Sequence, residues 1–88
     1  MKMNKLNEFE LEELSSLIEE EALHLSNSLE AKKEAEIFNI YAKEYFNNND
    51  LKRAIEFDKE RRMAWKEYRA EEEKADNIRK KINSLLYM

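Results

Sequence analysis

The stretch Phe46-Asn47-Asn48-Asn49-Asp50-Leu51 divides this chain into two helical halves. Neither glycine nor proline occurs among the 88 residues, so the residues that usually form turns are missing. Asparagine accepts the left-handed backbone conformation that glycine otherwise supplies, and an aspartate caps the helix that follows it. The stretch therefore predicts a tight turn between two helices.

Composition excludes most kinds of catalytic site. Without glycine, the chain has no phosphate-binding loop and no dinucleotide-binding turn. It has no cysteine, which excludes disulfides, thiolate zinc sites and cysteine nucleophiles. Its one histidine, His24, is flanked by leucines, and no nucleophile stands out beside it. We therefore predict a protein that is not an enzyme and that has no catalytic residues, no bound metal and no cofactor.

Length and charge predict a single small domain, residues 1–88, near the lower size limit for independent folding. Charged residues make up 41% of the chain, and no apolar stretch is long enough to cross a membrane. Together with the lack of cysteine, these features predict a soluble cytoplasmic protein without membrane contact. Because so small a domain gains stability from a partner chain, we also predict a homo-oligomer, in the simplest case a homodimer.

The first half of the chain carries an apolar pattern that shifts by one residue. A capping box that begins at Asn7 opens the first helix. The shift falls at Ser26-Asn27-Ser28, where we predict a break between helices of about residues 5–26 and 28–46. The alternative is one uninterrupted helix over residues 5–46. The apolar residues before the shift are Leu11, Leu14, Ile18, Ala22, Leu25 and Leu29, and those after it are Ala31, Ala35, Phe38, Ala42 and Tyr45.

After the turn, apolar residues alternate at intervals of three and four over about five heptads, which is typical of a left-handed coiled-coil seam. The spacing predicts one long helix over about residues 51–86. Two of the ten seam positions, Arg61 and Glu71, are polar. The ten positions are Ala54, Phe57, Arg61, Ala64, Tyr68, Glu71, Ala75, Ile78, Ile82 and Leu85.

The residues around the turn follow a further pattern. Its members are Phe38, Tyr41, Ala42 and Tyr45 before the turn, Asn49-Asp50 within it and Ala54 after it. This pattern resembles one helix–turn–helix unit of the tetratricopeptide type. The resemblance implies antiparallel packing of two helices across residues 47–50. Because no second copy follows at the repeat period, it does not indicate membership of that repeat family.

These patterns together predict an all-α fold. We expect an elongated antiparallel helical hairpin or a three-helix bundle, with coiled-coil-like packing. The charge distribution supports antiparallel neighbours. Residues 1–50 hold five Lys/Arg against twelve Asp/Glu, a balance of -7, whereas residues 51–88 hold eleven against eight, a balance of +3. The two halves therefore attract each other.

A row of glutamates follows the first helical region on the side away from its apolar stripe. A rigid row of carboxylates can occupy a basic groove on a larger protein, and it can imitate a nucleic-acid backbone. We therefore predict a protein–protein interaction module that acts as an adaptor or an inhibitor. The alternative is a solvated helix surface without a partner. The predicted contact residues of this acidic face are Glu12, Glu19, Glu20 and Glu30.

The last predicted helix carries aromatic residues beside its seam and a basic stripe opposite it. An aromatic anchor next to basic residues is a second candidate partner site, although aromatics at helical spacing usually belong to a core. A basic stripe can also follow a phosphate backbone, so the alternative function is a nucleic-acid-binding accessory protein. The candidate partner residues are Trp65, Tyr68, Arg62, Lys66 and Arg69. The full basic stripe consists of Lys52, Lys59, Arg62, Lys66, Arg69 and Lys80.

One further spacing has a chemical interpretation. Glu21 and His24 lie one helical turn apart, as carboxylate and imidazole ligands do in di-iron bundles. A complete site would need a second copy of the pair, which the symmetry of a dimer would supply. A dimeric metal–carboxylate bundle is therefore a remote alternative. The ordinary interpretation is a histidine at the edge of an apolar stripe.

Overall fold

A computed structural model describes residues 5–87, and the chain within them forms a hairpin of two long helices. Helix α1 spans Glu8–Asn47 and helix α2 spans Leu51–Leu86. The hairpin measures 63 × 20 × 13 Å and has a radius of gyration of 19.4 Å. It is therefore a flat ribbon, two helices wide and one helix thick. The prediction of an elongated all-α hairpin is confirmed.

The turn has the geometry that its asparagines predict. Asn49 has a φ of 61°, the left-handed conformation that few residues other than glycine and asparagine adopt readily. The side chain of Asp50 accepts a hydrogen bond of 3.3 Å from the backbone N–H of Arg53 and so caps α2. At the other end of the chain, Asn7 and Glu10 form the predicted capping box, with bonds of 2.8 and 3.2 Å.

The three-helix bundle is wrong, because α1 continues without a break through Ser26-Asn27-Ser28. The separate helices of residues 5–26 and 28–46 are one helix. Ser28 does not act as a cap. Its hydroxyl donates to the backbone oxygen of Leu25 at 2.8 Å, and its side chain is buried. The hydroxyl is therefore satisfied inside the helix and leaves the backbone ladder intact.

The buried side of α1 also differs from the prediction. The predicted packing stripe contains Leu11, Ile18 and Leu29, yet these residues are 51%, 51% and 58% exposed. The side that faces α2 instead follows intervals of three and four along the whole helix, with no shift. Its buried and half-buried positions are Glu10, Leu14, Leu17, Glu21, His24, Ser28, Ala31, Ala35, Phe38, Ala42 and Tyr45.

On α2 the predicted seam is confirmed, since all ten of its positions are buried or half-buried. The core that the two seams enclose is small. Five alanines and two isoleucines are its buried apolar residues, and no large side chain within residues 5–87 is completely removed from solvent. Alanine seams allow the two helices to approach closely, but they remove little apolar surface from water.

Three of the four aromatic residues of the seam, Phe38, Tyr45 and Phe57, lie next to the turn. The ring of Phe57 lies 6.2, 5.3 and 5.4 Å from the rings of Phe38, Tyr41 and Tyr45, measured between centroids. The guanidinium of Arg53 lies 5.6 Å from the centre of the Tyr45 ring, within the range of a cation–π contact. This cluster stabilises the packing of the two helices next to the turn.

Candidate interaction surfaces

The ribbon has two broad faces, one on each side of the plane that contains both helix axes. On one side, Leu25 of α1 shares a groove with Glu72 and Arg79 of α2, and Phe46 shares another with Leu51. Residues seven apart lie on the same side of a coiled-coil helix, so the apolar residues in register with these share this face. We call it the leucine face, and the same register also places Lys32, Glu36, Asn39 and Lys43 on it. Its large apolar residues are Leu11, Ile18, Leu25, Leu29 and Phe46 of α1 and Leu51, Ile55 and Trp65 of α2.

The leucine face exposes large apolar side chains along its whole length. In addition to the three exposed residues of α1 given above, Phe46, Leu51 and Ile55 are 63%, 57% and 55% exposed. These three line a groove of about 460 Å³ between the helices, whose floor is formed by Ala42 and Ala54. Four residues of the leucine face, Leu11, Ile18, Leu25 and Leu29, belong to the apolar stripe that the sequence predicts for α1.

The opposite side, which we call the charged face, has a groove with a mainly charged lining, although the exposed apolar residues Phe9, Leu23, Ile37 and Met63 also lie on this side by the same register. This groove of about 430 Å³ lies between the helices. Its charged lining consists of the four carboxylates Glu30, Glu34, Glu67 and Glu71 and a single ammonium group, that of Lys74. The grooves on the two faces of this thin ribbon therefore have chemically distinct linings.

Residues 8–30 of α1, which we call the acidic segment, hold eight glutamates and no lysine or arginine. Glu21 forms an ion pair of 3.1 Å with Arg79, and Glu10 takes part in the capping box. Within residues 5–87, no ion pair involves the other six. They are exposed carboxylates at Glu8, Glu12, Glu13, Glu19, Glu20 and Glu30.

The four predicted contact glutamates are all exposed, but the structure divides them between two surfaces. Glu30 lines the groove of the charged face, and Glu20 lies on the same side, seven residues before the groove residue Asn27. Glu12 and Glu19 lie seven apart along the outer edge of α1. The acidic surface therefore wraps around the helix instead of forming one flat row.

The predicted aromatic site is partly core and partly surface. Trp65 and Tyr68 are half-buried, and their rings make an edge-to-face contact at 5.3 Å. A hydrogen bond to the Glu72 carboxylate raises the pKa of the Tyr68 hydroxyl, and burial and the charge of Glu72 add to the effect. Tyr68 thus belongs to the seam, whereas Trp65 borders the leucine face.

The basic residues of that site are exposed on α2, and some already have acidic neighbours. Arg62 pairs with Asp58 at 2.9 Å and Lys80 with Asp76 at 3.6 Å. Asp58 also accepts a bond of 2.7 Å from Arg61. That bond is the main cause of the lowered pKa of Asp58, which burial opposes and the charge of Arg62 reinforces. The remaining exposed bases of the stripe are Lys52, Lys59, Lys66 and Arg69.

Two polar side-chain contacts join α1 and α2, and the sequence patterns did not predict them. We call this pair of contacts the polar crossing. His24 Nδ1 lies 2.5 Å from Glu71 Oε2, and Arg79 Nε donates to Glu21 at 3.1 Å. All four side chains lie in or beside the seam. The carboxylate and imidazole of the possible metal pair thus both have partners on α2. The described part of the chain contains no group of three or more potential metal ligands.

The crossing predicts a dependence of stability on pH. The pKa of Glu71 is lowered, chiefly by its hydrogen bond to His24, against the opposing effect of burial and with help from Lys74. A carboxyl with a depressed pKa stabilises the fold above its ordinary value, and this stabilisation is lost as the pH falls through the depressed value. The midpoint of thermal unfolding, followed by circular dichroism, should therefore fall steeply as the pH drops below about 4.5.

The matched variants for this measurement are Glu71→Gln and Glu67→Gln. Glu67 is exposed and forms no ion pair within residues 5–87, so its variant should keep the steep decline of the natural protein. Glu71→Gln should have a lower midpoint of thermal unfolding at neutral pH, and its midpoint should fall less as the pH drops. Parallel curves for Glu71→Gln and the natural protein would contradict the assigned role of Glu71.

Comparison with known proteins gives no functional guide. No family model matches the chain, and no curated protein and no solved structure matches it either. Within residues 5–87, neither helix has the length and apolar character needed to cross a membrane. The surfaces themselves therefore supply the argument about function.

Proposed function

We propose that this protein is a small non-enzymatic interaction module, an adaptor or inhibitor in the cytoplasm, that binds a larger protein through the acidic segment. The observation that carries the proposal is the set of six exposed carboxylates that lack an ion pair within the described residues. Like charges so close together repel one another, and a cationic partner removes that repulsion. The partner should therefore present a basic surface.

The rigidity of α1 supports this proposal. The segment belongs to a 40-residue helix that is held along its length by α2, so the carboxylates keep fixed spacings. A preorganised surface loses little conformational entropy on binding. Carboxylates on two adjacent sides of one helix suit a basic groove, including one that otherwise holds a nucleic acid. An inhibitor that mimics nucleic acid is the sharpest version of the proposal.

The test is a comparison of two triple variants. Glu12→Lys, Glu19→Lys and Glu20→Lys together replace three of the six exposed carboxylates of the acidic segment by ammonium groups. We expect them to abolish the capture of a partner from native extract, because the variant surface repels a basic groove. The matched control reverses the exposed residues Glu56, Glu60 and Glu73 of α2, which changes the net charge by the same amount.

Captured proteins should be identified and quantified by mass spectrometry for the natural protein and both variants. A partner that is retained by the control and lost from the acidic-segment variant supports the proposal. Its capture should also weaken as the salt concentration rises, since exposed charges are screened. An unchanged list of partners for the acidic-segment variant would contradict the proposed function.

Nucleic-acid binding through α2 is the alternative function. Lys66 and Arg69 favour it, since both are exposed and neither forms an ion pair within residues 5–87. The acidic neighbours of Arg62 and Lys80 weaken it. Phosphate contacts of this kind are strongest at low salt, so failure to retard DNA or RNA in a gel at about 50 mM salt excludes the alternative.

A further inference from the structure

The leucine face is too apolar for a surface that remains in water. Six large side chains on it are more than half exposed, while the seam beneath it encloses mainly alanines. Contiguous apolar patches of this kind mark interaction sites. The same small core leaves the single hairpin short of buried apolar surface for a domain of its size.

We propose that two copies of the chain pack through their leucine faces, in opposite directions, to form a four-helix bundle. The dimensions suit such an interface. A face of 63 by 20 Å is large enough to bury about 800 Å² on each copy, the size of a standard stable interface. In such a bundle, the helices of the second copy would bury the leucines of this face, just as the seam within one hairpin buries its alanines.

The charges on α2 make this face complementary to itself. Asp76 and Glu72 line a groove of the leucine face, and Arg62 and Arg69 lie on the same side because they precede Asp76 by multiples of seven residues. Asp58 and Arg79 also line grooves of this face, and between them the order along the helix is two bases, Arg62 and Arg69, followed by two acids, Glu72 and Asp76. A two-fold axis near residue 70 therefore sets the bases of each copy against the acids of the other.

The apolar residues fit the same axis. The contacts of His24 with Glu71 and of Glu21 with Arg79 place the middle of α1, near Leu29, beside this part of α2. Leu11 and Phe46 lie at nearly equal distances along α1 on either side of Leu29. When the two hairpins run in opposite directions, the turn end of each copy therefore lies against the end of the other copy that is farthest from its turn.

The other stacked arrangement, with both turns at the same end, is unfavourable. It would lay the turn half of α1 over residues 52–69 of α2 in the second copy. On the leucine face, that half of α1 carries Lys32, Lys43 and Glu36, and the facing stretch of α2 carries Arg62, Arg69 and Asp58, so bases outnumber acids on both surfaces. Like charges across an interface disfavour this arrangement. The charged face remains outward in the preferred arrangement, so the dimer leaves Glu20 and Glu30 free for the proposed partner.

The first experiment measures the mass of the full chain in solution by sedimentation. At about 100 µM, a hundred times a micromolar dissociation constant, we expect a mass twice the 10.7 kDa of one chain. Leu29→Glu should weaken the dimer by about 30-fold or more, because it places a carboxylate of each copy near the axis. Leu23→Glu is the matched control, since Leu23 is 57% exposed and lies seven residues before Glu30 of the charged face.

Circular dichroism shows whether Leu29→Glu keeps the hairpin helical, which its exposed position in the single hairpin predicts. The direction of packing is tested by single cysteines, since the natural chain has none. On mixing, Leu11→Cys and Phe46→Cys should form a disulfide with each other faster than either does with itself. A monomer at all concentrations, equal loss of the dimer in Leu29→Glu and Leu23→Glu, or faster self-pairing of Leu11→Cys would overturn the proposal. None of these results depends on binding by the acidic segment.

Discussion

Replacement of Ala64 by aspartate should abolish the helical hairpin. Ala64 is 3% exposed in the seam of α2, and Ala35 of α1 is completely buried. An aspartate there would place a charge between two closely packed helices. The penalty for a buried, unpaired charge is several kcal/mol, while the whole fold of a small domain is stable by only about 5–15 kcal/mol. We therefore expect loss of most of the helical circular dichroism signal at room temperature.

The matched variant is Ala70→Asp, on the same helix and at an exposed position. It has the same helix propensity cost, so any difference between the variants reports burial. Ala70→Asp should retain a helical spectrum and a cooperative thermal transition. A folded, helical Ala64→Asp protein would mean that the two helices do not pack through the alanine seam.

Truncation of Ile78 to alanine should be the most costly of the purely apolar changes. Ile78 is 7% exposed and is one of the two buried isoleucines of the core. Removal of a buried isoleucine side chain costs about 2–5 kcal/mol, because both transfer energy and packing contacts are lost. In urea denaturation, the midpoint should shift to a much lower concentration while the slope remains unchanged.

Ile40→Ala is the control for that measurement. Ile40 is 59% exposed on α1, so its truncation removes little buried surface and should change the stability by less than about 0.5 kcal/mol. Equal shifts for the two variants would show that Ile40 is covered in solution, which neither the hairpin nor the proposed dimer provides. The two experiments together separate the seam from the surface.

Much of the fold follows from sequence patterns because the seam positions of α2 are regularly spaced. Its ten seam positions continue through Arg61 and Glu71, and the structure buries or half-buries all of them. The turn was equally predictable. Apart from Asp50, which caps α2, asparagine is the only residue type in the stretch that readily adopts a positive φ, and Asn49 does so. Local chemistry decides both features.

The buried side of α1 was not predicted for a physical reason. Apolar periodicity identifies the most apolar stripe of a helix, whereas burial depends on what the opposite helix offers. Residues 8–30 turn Glu21 and His24 toward α2 because Arg79 and Glu71 are there to bind them. Polar residues can lie in a seam where they have hydrogen-bond or ion-pair partners. The signal was present, since the spacing counted back from Tyr45 reaches both residues without a shift.

The surfaces were only partly predictable. The exposed glutamates follow from composition, and the structure shows that they occupy two sides of α1 instead of one. Leu11, Ile18, Leu25 and Leu29 of the leucine face belong to the apolar stripe predicted from the sequence, because apolar periodicity alone does not tell which side of α1 is covered. Two stripes on one helix are typical of a helix with more than one neighbour. That pattern agrees with the proposed dimer, in which a second copy covers part of α1.

The position of the aromatic cluster also determines how the chain folds. Tyr45 and Phe57 are separated by only 12 residues along the chain, whereas Glu21 and Arg79 are separated by 58. Contacts that close short loops cost the least entropy and form first. Folding should therefore start at the turn, and the helices should pair progressively toward the free ends. The contact of His24 with Glu71 would then form late, when the two helices are already partly paired. It would favour the native register of the two helices over shifted ones.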